Sequence, residues 1–453
     1  MRGRNGWAIA SFAGFATRGT EVAAKLALYM LAARRMDDQE CGALFLCLTW
    51  VLFAGTFSRL GLERALSRLI AAELALGQGV AARRVLLRGL AIVGLSGLAI
   101  GALTLAAAPY AARYLFHTAA IEAGLRATAL TVPATSLTVA LGFSLIGFGR
   151  TVLAQALQNV IWSIGLLGGV VMGLDHAWSL MLLMAATQSL ALAIGAAAIL
   201  GARTRLREAA ALPAGSGALP SLFRTAMPLY VVELVQVSIN SLPVLVLGIF
   251  ADPRSVSIFS IAQRASMLVL VVLFSLTIIA SPHFAALHRK GEWADLAAMN
   301  RRTQLAGLVL GGGVCLVLAL GGGTMLSLIA PGFSAGLPAL WVMLAGQAVS
   351  ALYAGQDGLL AMTGQGPALR ALNLAQLVVM VVSCAALIPR FGALGAGAVT
   401  AFVTAQGGLG TAMVVGAFFP AFAPRFAPPM PALLRKVLRK LPDAHTRGVA
   451  IDD

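Results

Sequence analysis

Long apolar blocks separated by short polar stretches run through the chain. Twelve of them have membrane-spanning length: 7–33, 41–60, 86–112, 121–147, 152–172, 177–201, 221–250, 256–280, 304–330, 335–361, 368–388 and 392–420. A helix rising about 1.5 Å per residue needs roughly 20 residues to cross a hydrocarbon layer of about 30 Å. The blocks are rich in Leu, Ala, Val and Gly and lack the alternation, over roughly ten residues, of a barrel strand. The pattern therefore predicts an all-α polytopic membrane protein with twelve transmembrane helices.

The first block departs from this pattern, because Trp7–Leu31 carries Arg18, Glu21 and Lys25 in its interior. Offsets of 0, 3 and 7 place the three on one helical face. Ionisable groups are costly against lipid, so that face is expected to meet protein or water. The block is too long and too polar for a cleaved leader and reads as a permanent helix.

The connections supply an independent test. With the N-terminus in the cytoplasm, most of the 33 Lys and Arg residues fall on the cytoplasmic side, and Arg34, Arg35, Arg113, Arg254 and Arg390 fall opposite. Such a bias favours an even number of spans with both termini inside. The Gly61–Val85 connection carries Arg64, Arg68, Glu73, Arg83 and Arg84 among Leu and Ala, and reads either as an amphipathic interfacial helix or as a solvated link. At the midpoint, Pro213, Gly215, Ser216, Gly217 and Pro220 mark an irregular link over 209–220. It separates an N-terminal six-helix lobe, 1–208, from a C-terminal six-helix lobe, 221–420. Prolines at 420, 424, 428, 429 and 431 then open a basic cytoplasmic tail, 421–453.

Fixed-offset similarities, such as Gly149-Arg-Thr with Gly364-Gln-Gly, suggest a repeat of about 215 residues. The offset aligns Arg18, Glu21 and Lys25 with Glu233, Gln236 and Asn240, a second polar stripe in the seventh span. An even number of spans precedes the second copy, so the two lobes are expected to be parallel and to line a shared interior. Pro133, Pro228, Pro243 and Pro282 supply points where spans bend.

Composition narrows the function. The chain of 453 residues is 59% hydrophobic and 11% charged, with a formal net charge of +16. Its basic residues sit between spans rather than in a basic-aromatic patch, which argues against nucleic acid and for anionic membrane lipid. The five histidines are scattered, and Cys41, Cys47, Cys315 and Cys384 lack metal-ligand spacing. Asp37-Asp38 reads as a solvated turn. No catalytic group, metal site or cofactor is expected, and no sizeable extramembrane loop carries catalytic acids.

The candidate residues are therefore intramembrane. Arg18, Lys25, Arg264, Arg59, Gln236 and Asn240 are candidates for a substrate cavity; Glu21, Glu233 and Asp357 are candidates for ion coupling or a charge network. Arginine offers a planar fork and lysine a compact charge to phosphate oxygens. Two readings of the first stripe stay open, a static ion network and a substrate and coupling site. Glu233 is an expected partner of Arg18. Gln155, Gln158, Asn159, Gln188, Gln347, Gln356, Asn373 and Gln376 add polar groups that either meet a hydroxyl-rich substrate or join helices.

Ala32-Ala-Arg-Arg-Met-Asp-Asp-Gln-Glu-Cys-Gly-Ala-Leu-Phe, Arg59-Leu-Gly-Leu-Glu-Arg-Ala, and Met362-Thr-Gly-Gln-Gly followed by Asn373 and Ile388-Pro-Arg-Phe-Gly-Ala-Leu-Gly-Ala-Gly-Ala resemble the multidrug, oligosaccharidyl-lipid and polysaccharide exporter superfamily. The likeness is to its polysaccharide biosynthesis, or O-antigen flippase, branch and covers residues 5–420. It implies a MATE-like fold of two six-helix lobes working by alternating access in the bacterial inner membrane. The implied cargo is an undecaprenyl-pyrophosphate-linked oligosaccharide for O-antigen, other lipopolysaccharide or exopolysaccharide synthesis. Arg18, Arg59 and Arg264 match the cavity arginines of related lipid II flippases, from which Glu21 and Glu233 depart. Drug-exporting relatives imply sodium or proton coupling. A polysaccharide polymerase and glycosyltransferases are the implied partners. A cation-coupled drug antiporter and a nontransporting scaffold of an envelope-polysaccharide assembly are the alternatives.

Overall fold

The structure, a computed structural model, describes residues 2–116, 118–201, 219–329 and 332–419. All regular structure among the described residues is helical. Ten of the helices are long and apolar enough to cross a membrane. The midpoint link up to residue 218 and the basic tail lie outside the described residues.

The chain divides into two compact units, Met1–Ser257 and Ile258–Asp453. In the first, α1 (Arg2–Arg35) and α2 (Asp38–Arg59) meet at Asp37, whose carboxylate accepts from the Gln39 amide and caps α2. Next come α3 (Leu62–Ala75), α4 (Gly79–Tyr110) with a π-helical extension Ala111–Phe116, and α5 (Ala119–Gly147). The helix α6 runs Thr151–Val171 with a π-helical turn at Ala156–Val160; α7 is Ala177–Leu200 and α8 is Leu219–Phe250.

The link after the second span is thus a helix, α3. Its apolar face is taken up by protein rather than lipid. Leu62, Ala65, Leu66 and Ile70 are fully buried in a core shared with α4, α5, α6, α7 and α8. Its Arg64 and Arg68 remain exposed.

Polar groups inside the bundle bind helix to helix. Thr131 and Thr138 of α5 donate to the backbone carbonyls of Met181 and Gln188 on α7, both at 2.9 Å. Pro133 lies inside α5, and Gly101 of α4 makes room beside it. A Cβ at Gly101 would sit 2.5 Å from the carbonyl oxygen of Ala129, four residues before the proline.

The second unit holds most of α9 (Pro253–Lys290), then α10 (Trp293–Ile329), α11 (Leu337–Ala351), the short α12 (Gln356–Met362) and α13 (Gly366–Phe418). The expected tenth span, 335–361, is not one helix. It breaks after Ala351, and Gly355 takes φ +80 before α12 begins. The 53 residues of α13, if straight, would measure about 80 Å, more than twice a bilayer core. Gly392, with φ 53 and ψ −129, reverses the chain instead. Gln376 donates to the Val403 carbonyl at 3.0 Å, and Gly410 abuts Leu372, so the two arms run antiparallel. Counting these arms separately gives eleven among the described residues, and α1, at 34 residues, has the length to be the expected twelfth.

Candidate functional site

Arg18 lies midway along α1, roughly 24 Å from either helix end at about 1.5 Å per residue. It, Glu21 and Lys25 share a face as the spacing requires. Lys25 Nζ donates to Glu21 Oε1 at 2.7 Å, and Arg18 Nη1 stands 3.8 Å from Glu21 Oε2. The Glu21 side chain is 11% exposed against 55% for Arg18, so the carboxylate is set inward and the guanidinium outward. Formally the triad keeps one net positive charge.

This face packs against α6, whose π turn presents Asn159. Lys25 Nζ reaches Asn159 Oδ1 at 3.3 Å and lies 5.1 Å from the centroid of the Trp162 ring. The indole Nε1 of Trp162 donates to the Gln158 carbonyl at 3.1 Å, inside the π turn. Gln158 itself donates to Val139 of α5 at 3.2 Å. A π turn carries an extra residue and turns neighbouring side chains out of α-helical register, a device frequent at functional sites. Of this group the sequence had singled out Gln158 and Asn159 as scattered polar residues and missed Trp162, whose aromatic side chain reads as ordinary span composition.

A second charged cluster forms where α2 turns into α3. Leu60 and Gly61 both take left-handed conformations, φ 52 and 70, so the chain breaks helix and restarts within two residues. Arg59 is buried; it pairs with Glu63, and its Nη2 donates to Thr56 Oγ1 at 2.8 Å. Arg64 Nη2 meets Glu233 Oε2 of α8 at 2.7 Å. The expected bridge between Glu233 and Arg18 is therefore replaced. The cause is docking: α8 lies so close to Gly61 that a Cβ there would be 2.6 Å from Tyr230 Cβ, which brings Glu233, one turn on, beside Arg64. Gln236 and Asn240 continue along α8, both exposed, and Asn240 donates to the Gln236 carbonyl at 2.8 Å.

In the second unit, Arg264 lies on α9, half-buried, with Nη1 3.8 Å from Met267 Sδ. Asp357 lies in the first turn of α12. Gln356 donates to Asn300 at 3.1 Å, and Asn373 is buried on the first arm of α13.

Other charged residues serve helix ends. Arg35 Nη1 donates to the carbonyls of Val170 and Val171 at the C-terminus of α6, at 3.2 and 2.9 Å. Glu40 accepts from the Ala177 amide at the start of α7 at 2.7 Å. Asp38 pairs with Arg254 at 3.5 Å. All four cysteines are buried free thiols.

No protein-family model matches the chain, and no curated protein matches it. Solved structures do. An inward-facing multidrug resistance MATE family transporter of the MOP superfamily superposes with a TM-score of 0.72 at 16% identity, covering 88% of this chain and 95% of the other. The lipid II flippase MurJ, in an inward closed conformation, gives 0.71 at 12% identity, covering 89% and 87%. An outward-facing MATE family transporter of the MOP superfamily gives 0.63 at 15% identity, covering 90% and 94%.

Proposed function

We propose that this chain, which has the fold shared by MATE transporters and the MurJ flippase of the multidrug/oligosaccharidyl-lipid/polysaccharide exporter superfamily, is a lipid-linked oligosaccharide flippase. Its cargo is an undecaprenyl-pyrophosphate-linked oligosaccharide, carried to the periplasmic leaflet of a bacterial inner membrane by alternating access. The product feeds O-antigen, other lipopolysaccharide or exopolysaccharide synthesis, in company with glycosyltransferases and a polysaccharide polymerase. The observation that carries the reading is the Arg18–Glu21–Lys25 triad, net positive at the middle of a membrane helix. An intramembrane cation pair is expensive unless it serves an anion, and a pyrophosphate headgroup is the anion that such a cargo brings. Asn159 and the Trp162 ring beside Lys25 offer a polar and an aromatic surface to sugar.

Translocation needs no covalent chemistry from the protein. The assay is the full chain in liposomes with a fluorescent pyrophosphate-linked saccharide. Arg18→Ala and Lys25→Ala should each lower the rate at least about tenfold, the loss of one charge-assisted contact, while membrane insertion stays close to wild type. Normal rates for both would remove the triad from the mechanism.

A second reading, a drug antiporter coupled to sodium or protons, is favoured by the buried Glu21 carboxylate on α1. It predicts movement of cationic drugs under an imposed gradient and indifference to the lipid-linked saccharide. A nontransporting scaffold predicts neither activity.

A further inference from the structure

Glu21 holds two cations at once, and it does so with different oxygens. Oε1 takes the Lys25 ammonium at 2.7 Å, and Oε2 faces the Arg18 guanidinium at 3.8 Å. This is how a phosphate would bridge the same pair. The two contacts are unequal. Lys25 is held at full charge-assisted hydrogen-bond distance, with Asn159 Oδ1 and the Trp162 π face as further partners of matching sign. Arg18 stands beyond hydrogen-bond distance and is more than half exposed. An arriving anion therefore meets Arg18 first, and at Lys25, whose charge is already paired at 2.7 Å, it must compete with the carboxylate.

That order discriminates between headgroups. A phosphodiester with one negative charge gains Arg18, but to take Lys25 it must exchange one anion for another of equal charge, with no electrostatic return. A pyrophosphate diester carries two charges on two phosphorus centres. It can bridge both cations as Glu21 does and replace the carboxylate at a net gain. We infer that Glu21 is a resident counter-ion of the headgroup site, displaced by a bridging pyrophosphate and not by a single phosphate. The inference rests on the flippase reading and deepens it: Glu21 becomes the residue that makes the site select diphosphate-linked over monophosphate-linked lipids.

The test uses the full chain in detergent and two soluble diesters, dimethyl phosphate and pyrophosphate methylated once on each phosphorus, titrated calorimetrically. Wild type should bind the pyrophosphate diester at least about tenfold more tightly than dimethyl phosphate. Glu21→Gln preserves shape and removes the charge; it should tighten dimethyl phosphate by about tenfold and erase most of the preference. Lys25→Met in that background should abolish the tightening. Glu21→Asp, which keeps the charge but draws it back by one methylene, should fall between, and serves if Glu21→Gln yields too little folded protein. Unchanged affinities in Glu21→Gln, or a wild type without preference, would overturn the inference and leave the flippase reading standing. If neither diester binds any form while the lipid-linked saccharide still crosses liposomes, the inference falls alone. If binding and translocation are both absent, the flippase reading falls and takes the inference with it.

Discussion

Gly61→Ala should damage the protein far more than the same change at Gly77, although both glycines have nearly the same backbone conformation. Gly61 has φ +70 and Gly77 φ +73. Alanine in that region costs about 1–2 kcal/mol at either site. The surroundings differ. A Cβ on Gly77 meets nothing within 4 Å, whereas on Gly61 it would lie 2.6 Å from Tyr230 Cβ, 2.7 Å from the Ala226 carbonyl oxygen and 2.9 Å from Tyr230 Cα. Two of those atoms are backbone, so no rotamer change relieves the overlap and α8 must move outward by several tenths of an ångström. Overpacking of this kind adds about 1–3 kcal/mol. It also draws Glu233 from Arg64, but that pair is half-exposed on its arginine side and adds little. At about 2–4 °C per kcal/mol for a unit of this size, Gly61→Ala should melt at least about 2 °C below Gly77→Ala. A thiol-reactive dye reads the transition, because the four cysteines are buried and become reactive on unfolding. Equal melting of the two variants would refute the claim that α8 is seated on the α2–α3 corner through that glycine.

Two further outcomes can be measured on the same preparation. Asp252, in the link before α9, accepts from the Ser255 amide at 3.1 Å and hydroxyl at 2.7 Å, so Asp252→Ala should cost about 1 kcal/mol in melting experiments at neutral pH. Partial burial pushes its carboxyl up, but the Ser255 hydrogen bonds and Arg254 outweigh that and hold it below the ordinary value. The cap's contribution is therefore full above the usual carboxylate range, near pH 4, and disappears as the pH falls through the lowered native pKa, where wild type and variant should converge. Trp162→Phe keeps a ring near Lys25 but loses the indole donor to Gln158 and should destabilise by about 1 kcal/mol. Trp162→Leu also loses the ring face, and if it matches Trp162→Phe, the Lys25–ring contact contributes nothing.

Hydropathy exposed what membrane length and burial impose along a single helix. Every block but 335–361 became a helix, and offsets of 0, 3 and 7 put Arg18, Glu21 and Lys25 on one face, because both depend only on local geometry. What it could not expose depends on how one helix docks on another. Asn159 meets Lys25 across 134 residues, and the π turn that presents it, Ala-Leu-Gln-Asn-Val, has no composition distinct from an α-helical turn. The break at Gly355 was hidden for another reason: in a chain with 49 glycines, one more inside an apolar block is no signal until its φ is known. The pairing of Glu233 shows the limit most clearly. Sequence offset set it opposite Arg18, since aligned stripes invite matching charges. The actual partner, Arg64, was chosen by the close seating of α8 against Gly61, a contact between two backbones that leaves no charge pattern to read. With Glu233 engaged there, Glu21 is the carboxylate that Arg18 and Lys25 share, and an anion that seeks both cations must contend with it.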